Sequence, residues 1–202
     1  MNEFGFDVSR ETTDRFETYA DLLRKWNPRI NLVAKSTISD LWRRHILDSA
    51  QIYRMAPHPV NSWVDLGSGG GFPGLVIAMM AKQFGTPYEI TLVESDSRKC
   101  AFLRAVIRDT EIAATVINDR IENVRPMAAD ILSARALADL PALLPFVLRH
   151  QSPSGTALLH KGASWKKEVA AVRETWKFDC RVAKSETEEG PVVLSISGVA
   201  RV

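Results

Sequence analysis

Trp63-Val64-Asp65-Leu66-Gly67-Ser68-Gly69-Gly70-Gly71-Phe72-Pro73-Gly74 is the stretch on which the fold turns. It reads as a buried strand, a glycine turn and the start of a helix. Glycine has no Cβ and tolerates positive φ, so a glycine turn at the carboxyl end of a strand lets a ligand come close to the backbone. The pattern points to a cofactor pocket and hence an enzyme; a glycine-rich surface loop is the plainer alternative. Two acids flank the turn. Asp65 stands just ahead of the first glycine, Gly67, where a carboxylate would suit the cationic end of a ligand. Glu94 closes the β-branched run Ile90-Thr91-Leu92-Val93-Glu94, at about the distance where such folds place a ribose-binding acid.

Outward from the turn, strands are predicted near 62–67, 88–94, 113–118, 130–135 and 155–160, with helices near 74–84, 96–109, 139–149 and 163–176. That alternation implies a mostly parallel sheet covered on both faces and joined by right-handed crossovers. Cys180 to Ser185 and Val192 to Val199 then read as an antiparallel hairpin about the turn Thr187-Glu188-Glu189-Gly190-Pro191. Upstream, Phe16, Tyr19, Ala20, Leu23 and Trp26 recur at helical spacing, with Ser9 as N-cap and Pro28 beyond the end. A second helix is predicted from about Ser39 to Ile52, with Leu41, His45, Asp48, Ser49 and Ile52 on one face. The organisation expected is an N-terminal helical extension, 1–60, packed on a Rossmann-like α/β unit, 61–202.

Composition sets the outer bounds. A chain of 202 residues, 46% hydrophobic, can bury a full core, and its net charge of +2 makes it no general polycation. It contains no run of 18 apolar residues, and Met1-Asn2-Glu3-Phe4-Gly5 lacks the form of a signal peptide, so a cytoplasmic protein off the membrane is expected. Cys100 and Cys180 form no C-x-x-C pair and read as free thiols. His45, His58, His150 and His160 show no ligand spacing, and no metal is expected. Neither G-x-S-x-G nor G-x-x-x-x-G-K-[ST] occurs, which sets aside serine hydrolases and P-loop NTPases.

Gly69, Gly71 and Gly74 also satisfy G-x-G-x-x-G, so an NAD(P)-dependent oxidoreductase has to be weighed. Pro73, however, supplies no N–H where a pyrophosphate needs a regular helix N-terminus, and Asp65 would repel that anion. A ligand with a positive centre and no phosphate suits the turn better. S-adenosyl-L-methionine offers a ribose for Glu94 and a sulfonium and ammonium for Asp65.

The run Asp65 to Gly74, with Arg44-His45-Ile46-Leu47-Asp48-Ser49 and Asn31-Leu32 before it, closely resembles the RsmG/GidB family. Further matches are Glu94-Ser95-x-x-Arg98-Lys99 with Phe102-Leu103, Arg120-Ile121-Glu122, Ser133 with Arg135-Ala136, and Lys161-Gly162, so that the likeness spans about residues 20–165. The resemblance implies a class I methyltransferase fold and transfer of a methyl group from S-adenosyl-L-methionine to N7 of one specific guanine in 16S ribosomal RNA. It also implies cofactor contacts at Gly67, Phe72, Ile121, Glu122 and Arg135. Ile121 stands where alanine or valine is more usual in the family. Gly69, Gly71, Asp65 and Glu94 join that set from the residue pattern.

Guanine N7 carries an in-plane lone pair and no proton, so no general base is expected, and placing N7 in line with the sulfonium methyl is the main task. Arg135, at the end of the fourth strand, is the leading catalytic candidate: a guanidinium there could grip the guanine edge, an RNA phosphate or the cofactor carboxylate. Lys161, one strand on, could reach a phosphate. Arg44, His45 and Arg120 complete the residues assigned to RNA. Basic residues gather over 24–44 (Arg24, Lys25, Arg29, Lys35, Arg43, Arg44) and again at Arg149, Lys161, Lys166, Lys167 and Arg173. His45, Asp48 and Ser49 read as a hydrogen-bonded lock between the N-terminal helices and the cleft, with a substrate contact from His45 or Asp48 left open. The partner expected is 16S rRNA or the 30S subunit, met by a monomer; a methyltransferase with another acceptor is the nearer alternative.

Overall fold

The computed structural model describes residues 7–202, so the opening residues behind the expectation of no leader lie outside it. At its centre β1 (Ser62–Leu66) pairs in parallel with β2 (Glu89–Glu94) on one side and β4 (Ala129–Arg135) on the other. β3 (Thr115–Asn118) extends the β2 side and β5 (Gln151–Lys161) the β4 side, both parallel. The terminal hairpin is β6 (Trp176–Lys184) and β7 (Val192–Arg201). Its second strand inserts antiparallel between β5 and β6, which gives the seven-stranded order β3-β2-β1-β4-β5-β7-β6. Because the chain runs outward from β1 in both directions, the strand order reverses between β1 and β4. A crevice therefore opens at their carboxyl ends.

The near-continuous apolar strands have a physical reason, since both faces of the sheet are covered. Trp63, Ile90, Leu92, Ile131 and Leu158 face one core, and Val64, Leu66, Val93, Leu132 and Leu159 the other. The first core is closed by α3 (Gly74–Phe84), α4 (Ser97–Asp109) and the N-terminal helices; the second by α5 (Leu140–His150) and α6 (Trp165–Val172). α3 is buried from Gly74 through Met80, being held between the sheet and the N-terminal layer. Asp96 caps α4, its carboxylate accepting from the N–H groups of Arg98 (2.8 Å) and Lys99 (3.3 Å). α6 is shorter than its predicted span because Trp176 and Phe178 turn inward with strand alternation and begin β6.

Two departures lie in the N-terminal layer. α1 (Arg10–Ile30) carries Pro28 inside its last turn rather than beyond it. Asn31 ends the helix instead: at φ 48° it sends its N–H back to the Asn27 carbonyl at 3.0 Å. The second predicted helix is three segments, a 3₁₀ turn (Lys35–Asp40), a π-helical stretch (Trp42–Leu47) and α2 (Asp48–Met55). The change of pitch splits the predicted common face. His45 is delivered toward the glycine turn, Asp48 toward β4 and β5, and Ser49 into the interior, where its hydroxyl has no partner.

Candidate active site

A cavity of about 830 Å³ opens at the reversal between β1 and β4. Its floor is the glycine turn. Gly67 and Gly69 hold φ of 65° and 53°, and a Cβ on Gly67 would lie 2.5 Å from Leu137 Cδ1. Glycine there is favoured by φ, and any Cβ would also push the Leu137 side chain aside. Glu94 lies beside the turn with both oxygens occupied: Oε2 accepts from the Gly69 N–H and Oε1 from the Asp96 N–H, each at 2.8 Å. The carboxylate is 7% exposed and lines the cavity. Asp119, Arg120, Ile121 and Glu122, beyond β3, form the adjoining wall, and Ala136, Leu137 and Phe146 the far one. Over the opening pass Asn31 to Lys35 and Thr37 of the N-terminal layer.

Two glycine-turn residues differ from expectation. Asp65 is fully enclosed and does not line the cavity. Its Oδ1 accepts from the Ser133 hydroxyl at 2.7 Å, and its Oδ2 accepts from the Gly74 N–H at 3.3 Å. It serves the start of α3 rather than a ligand cation, because the strand's alternation turns it toward the helix behind the turn. Burial pushes its carboxyl up to about 6, against the Ser133, Ser68 and Gly74 hydrogen bonds that favour the charged form. Gly71 also stands off the cavity. At φ 93° its missing Cβ makes room for Leu75 and for the Tyr19 hydroxyl, which donates to the Gly70 carbonyl at 2.5 Å.

Phe72 is the cavity's aromatic floor. Tyr19 lies against its ring with centroids 4.9 Å apart, His45 at 4.8 Å, and the Arg135 guanidinium carbon 5.9 Å from its centre. His45 Nε2 is 2.7 Å from Thr37 Oγ1, and Nδ1 has no partner. Burial, then the neighbouring Arg135 charge, pushes this imidazole down to about 3, so it is neutral at physiological pH. Arg135 enters from the end of β4. Its Nε is 3.3 Å from Asp48 Oδ2, its Nη2 donates to the Arg44 carbonyl at 2.6 Å, and its Nη1 has no protein partner.

Lys161 does not reach the cavity. Its Nζ donates to the Ala138 carbonyl at 2.9 Å and pairs with Glu168 at 2.6 Å, with 5% of the side chain exposed. It is a buried tie between β5, α6 and the loop after β4, because its strand position points it under that loop. Arg44 stands outside the cavity with its Nη1 on Glu188 at 2.9 Å. Of the basic run over 24–44, Lys35 lines the opening. Sequence reasoning missed Asp119, Leu137 and Phe146. Asp119 directly follows β3 as Glu94 ends β2, so an acid at the carboxyl end of these two neighbouring strands was the available signal. Among the described residues no group of His, Cys, Asp or Glu is placed to hold a metal ion, and no helix is long and apolar enough to cross a membrane.

A family model described as rRNA small subunit methyltransferase G (GidB) matches residues 12–190. Ribosomal RNA small subunit methyltransferase G of Ruegeria pomeroyi is 53% identical over 196 residues, 97% of this chain and 96% of that one. The protein of the same name from a Ruegeria species is 51% identical over 97% of this chain and 95% of its own. Among solved structures, a TehB-like SAM-dependent methyltransferase from Corynebacterium glutamicum superposes with a TM-score of 0.55 at 16% identity, over 94% of this chain and 100% of that one. The last likeness is one of fold, the class I methyltransferase sheet with its helical layers.

Proposed function

Because the chain belongs to the family of rRNA small subunit methyltransferases G, we propose that it moves a methyl group from S-adenosyl-L-methionine to N7 of one guanine in 16S rRNA. The observation that carries the choice of donor is the start of α3. The Gly74 N–H is taken by Asp65 Oδ2, and Pro73 has no N–H, so this helix end has little to offer a pyrophosphate. The cavity instead presents Glu94, already oriented by two backbone donors, to the ribose hydroxyls. Gly67 and Phe72 bound the methionine end, and Ile121 with Glu122 bound the base. The unpartnered Arg135 Nη1, a buried donor in the cavity wall, fits an anionic or carbonyl group of donor or acceptor.

The donor supplies an electrophilic methyl on a sulfonium: the C–N7 bond forms as the C–S bond breaks, and sulfur keeps the electron pair. No proton moves at N7, so the chain's residues need to orient and to exclude water rather than to titrate. His45, neutral and stacked on Phe72, fits such a wall. Arg120 and Lys35, exposed at the cavity's edge, would meet RNA phosphates. The acceptor is 16S rRNA, free or in the 30S subunit, met in the cytoplasm by a single copy of the chain.

The test is nucleoside mass spectrometry of 16S RNA, in 30S subunits and as free RNA, from cells lacking this protein, after incubation with the purified protein and labelled donor. Labelled 7-methylguanosine at one site is the expected result. No label despite adenosylhomocysteine binding would move the search to another acceptor. Thermal stabilisation by a nicotinamide nucleotide in place of adenosylhomocysteine would overturn the donor.

A further inference from the structure

We infer that Asp48 is a positioning residue for methyl transfer, acting through Arg135, and that the turn between β6 and β7 is what holds Asp48; this rests on the methyltransferase reading above. Asp48 is 8% exposed and its two oxygens divide their work. Oδ1 accepts from Gln51 Nε2 at 2.7 Å, from the Thr187 hydroxyl at 3.1 Å and from the Ser185 hydroxyl at 3.4 Å. Oδ2 is thereby left to Arg135 Nε at 3.3 Å and to His160 Nε2 at 3.6 Å. One carboxylate thus joins α2, the ends of β4 and β5, and the hairpin turn.

The same turn holds the other side of the arginine. Glu188 pairs with Arg44, whose carbonyl accepts from Arg135 Nη2, and the Glu186 N–H donates to Gln51 Oε1 at 3.1 Å while its carboxylate pairs with Arg54. With Nε and Nη2 both fixed, the guanidinium cannot swing, and Nη1 is the nitrogen presented without a protein partner. A buried guanidinium that lost this carboxylate would seek another counter-charge. Its free nitrogen would then leave the place where the acceptor or donor must be met. Displacement of about 1 Å at a reacting site is worth about 100-fold in rate.

The test is a double-mutant cycle on kcat and KM for methyl transfer to 16S RNA in 30S subunits, using Asp48→Asn and Arg135→Ala, with adenosylhomocysteine binding and Tm measured on each protein. Asp48→Asn keeps the shape and an acceptor for Oδ1's partners but turns an amide toward Arg135. It should lower kcat about 10- to 100-fold, with KM for RNA changed less than about threefold. In the Arg135→Ala background it should lower kcat no further. Equal losses in both backgrounds, or a wild-type kcat for Asp48→Asn, would overturn the inference and leave Asp48 a structural tie. Should Asp48→Asn not fold, Thr187→Val removes one Oδ1 donor at constant shape. It should lower kcat about two- to fivefold, again only where Arg135 is present, and an unchanged kcat would overturn the inference. Adenosylhomocysteine binding without methyl transfer by the unaltered chain would instead sink the reading on which the inference rests.

Discussion

Along β1 and β2 the cavity is bounded by main chain: Gly67, Gly69 and Gly70 with their N–H and carbonyl groups, and Glu94 oriented by two amides. Beyond β4 it is bounded by side chains, with Arg135 held by Asp48 and by the Arg44 carbonyl, and Asp48 held in turn by Ser185 and Thr187. The first wall is written within some thirty residues of continuous sequence. The second needs residues separated by up to 139 positions. A wall of backbone fixes where a ligand can lie whatever the neighbouring side chains do, whereas a wall of side chains depends on every remote partner.

The comparison would break most sharply at Gly74. A Cβ there would run into Leu92 and stand 2.8 Å from Asp65 Oδ2, neither of which can retreat, so Gly74→Ala should cost about 3 kcal/mol in urea unfolding. A variant of native stability would mean that the packing behind the glycine turn is pliant. Next comes pH. The folded carboxyl of Asp65 stands at about 6 against an ordinary 3.8, so it binds its proton more tightly folded than unfolded. Its contribution is then full below about pH 3.8 and lost as pH rises through about 6, a change on the order of 3 kcal/mol. Unfolding curves should show the unaltered chain losing ground to Asp65→Asn across that window. Curves that stay parallel would put the carboxylate in a water-like setting.

Behind the other wall, Lys161→Met should cost about 2 kcal/mol of stability by leaving Glu168 without its cation. The salt dependence of RNA binding should keep its slope; a slope reduced by about one would return Lys161 to the phosphate contacts. The smallest effect belongs to Gly69→Ala, where a Cβ meets only the Gly67 carbonyl at 3.7 Å and φ is 53°. Strain of about 1 kcal/mol is expected there, read as a fall in Tm; a loss as large as at Gly74 would make the whole turn uniformly tight.

This contrast also explains what could be seen in the sequence. The strand, glycine turn and helix from Trp63 to Phe84, the acid at Glu94 and the arginine at Arg135 are local patterns, and the structure sets Gly67, Phe72, Glu94 and Arg135 around one cavity. The side on which a residue emerges was harder to see. Asp65 and Lys161 are on the expected strands, but one turns behind the glycines and the other beneath a loop, because the facing depends on what packs against each face. The change from 3₁₀ to π pitch over residues 35–47 has no signature in a periodicity that assumes one helix type, so His45 and Asp48 could not be parted from sequence. Pro28 misled for a related reason, since the helix end is decided by Asn31 and by the Asn27 side chain, which accepts from the Val33 N–H at 2.8 Å.

The insertion of β7 between β5 and β6 puts a clock on the molecule. The parallel strands β1 to β5 can begin to associate in the order in which they leave the ribosome, but the open edge of β5 must wait for a strand that starts at Val192. The turn that carries Ser185 and Thr187 comes into place with it. During synthesis, therefore, the glycine turn and Glu94 can form well before Asp48 is held by the hairpin turn and clasps Arg135.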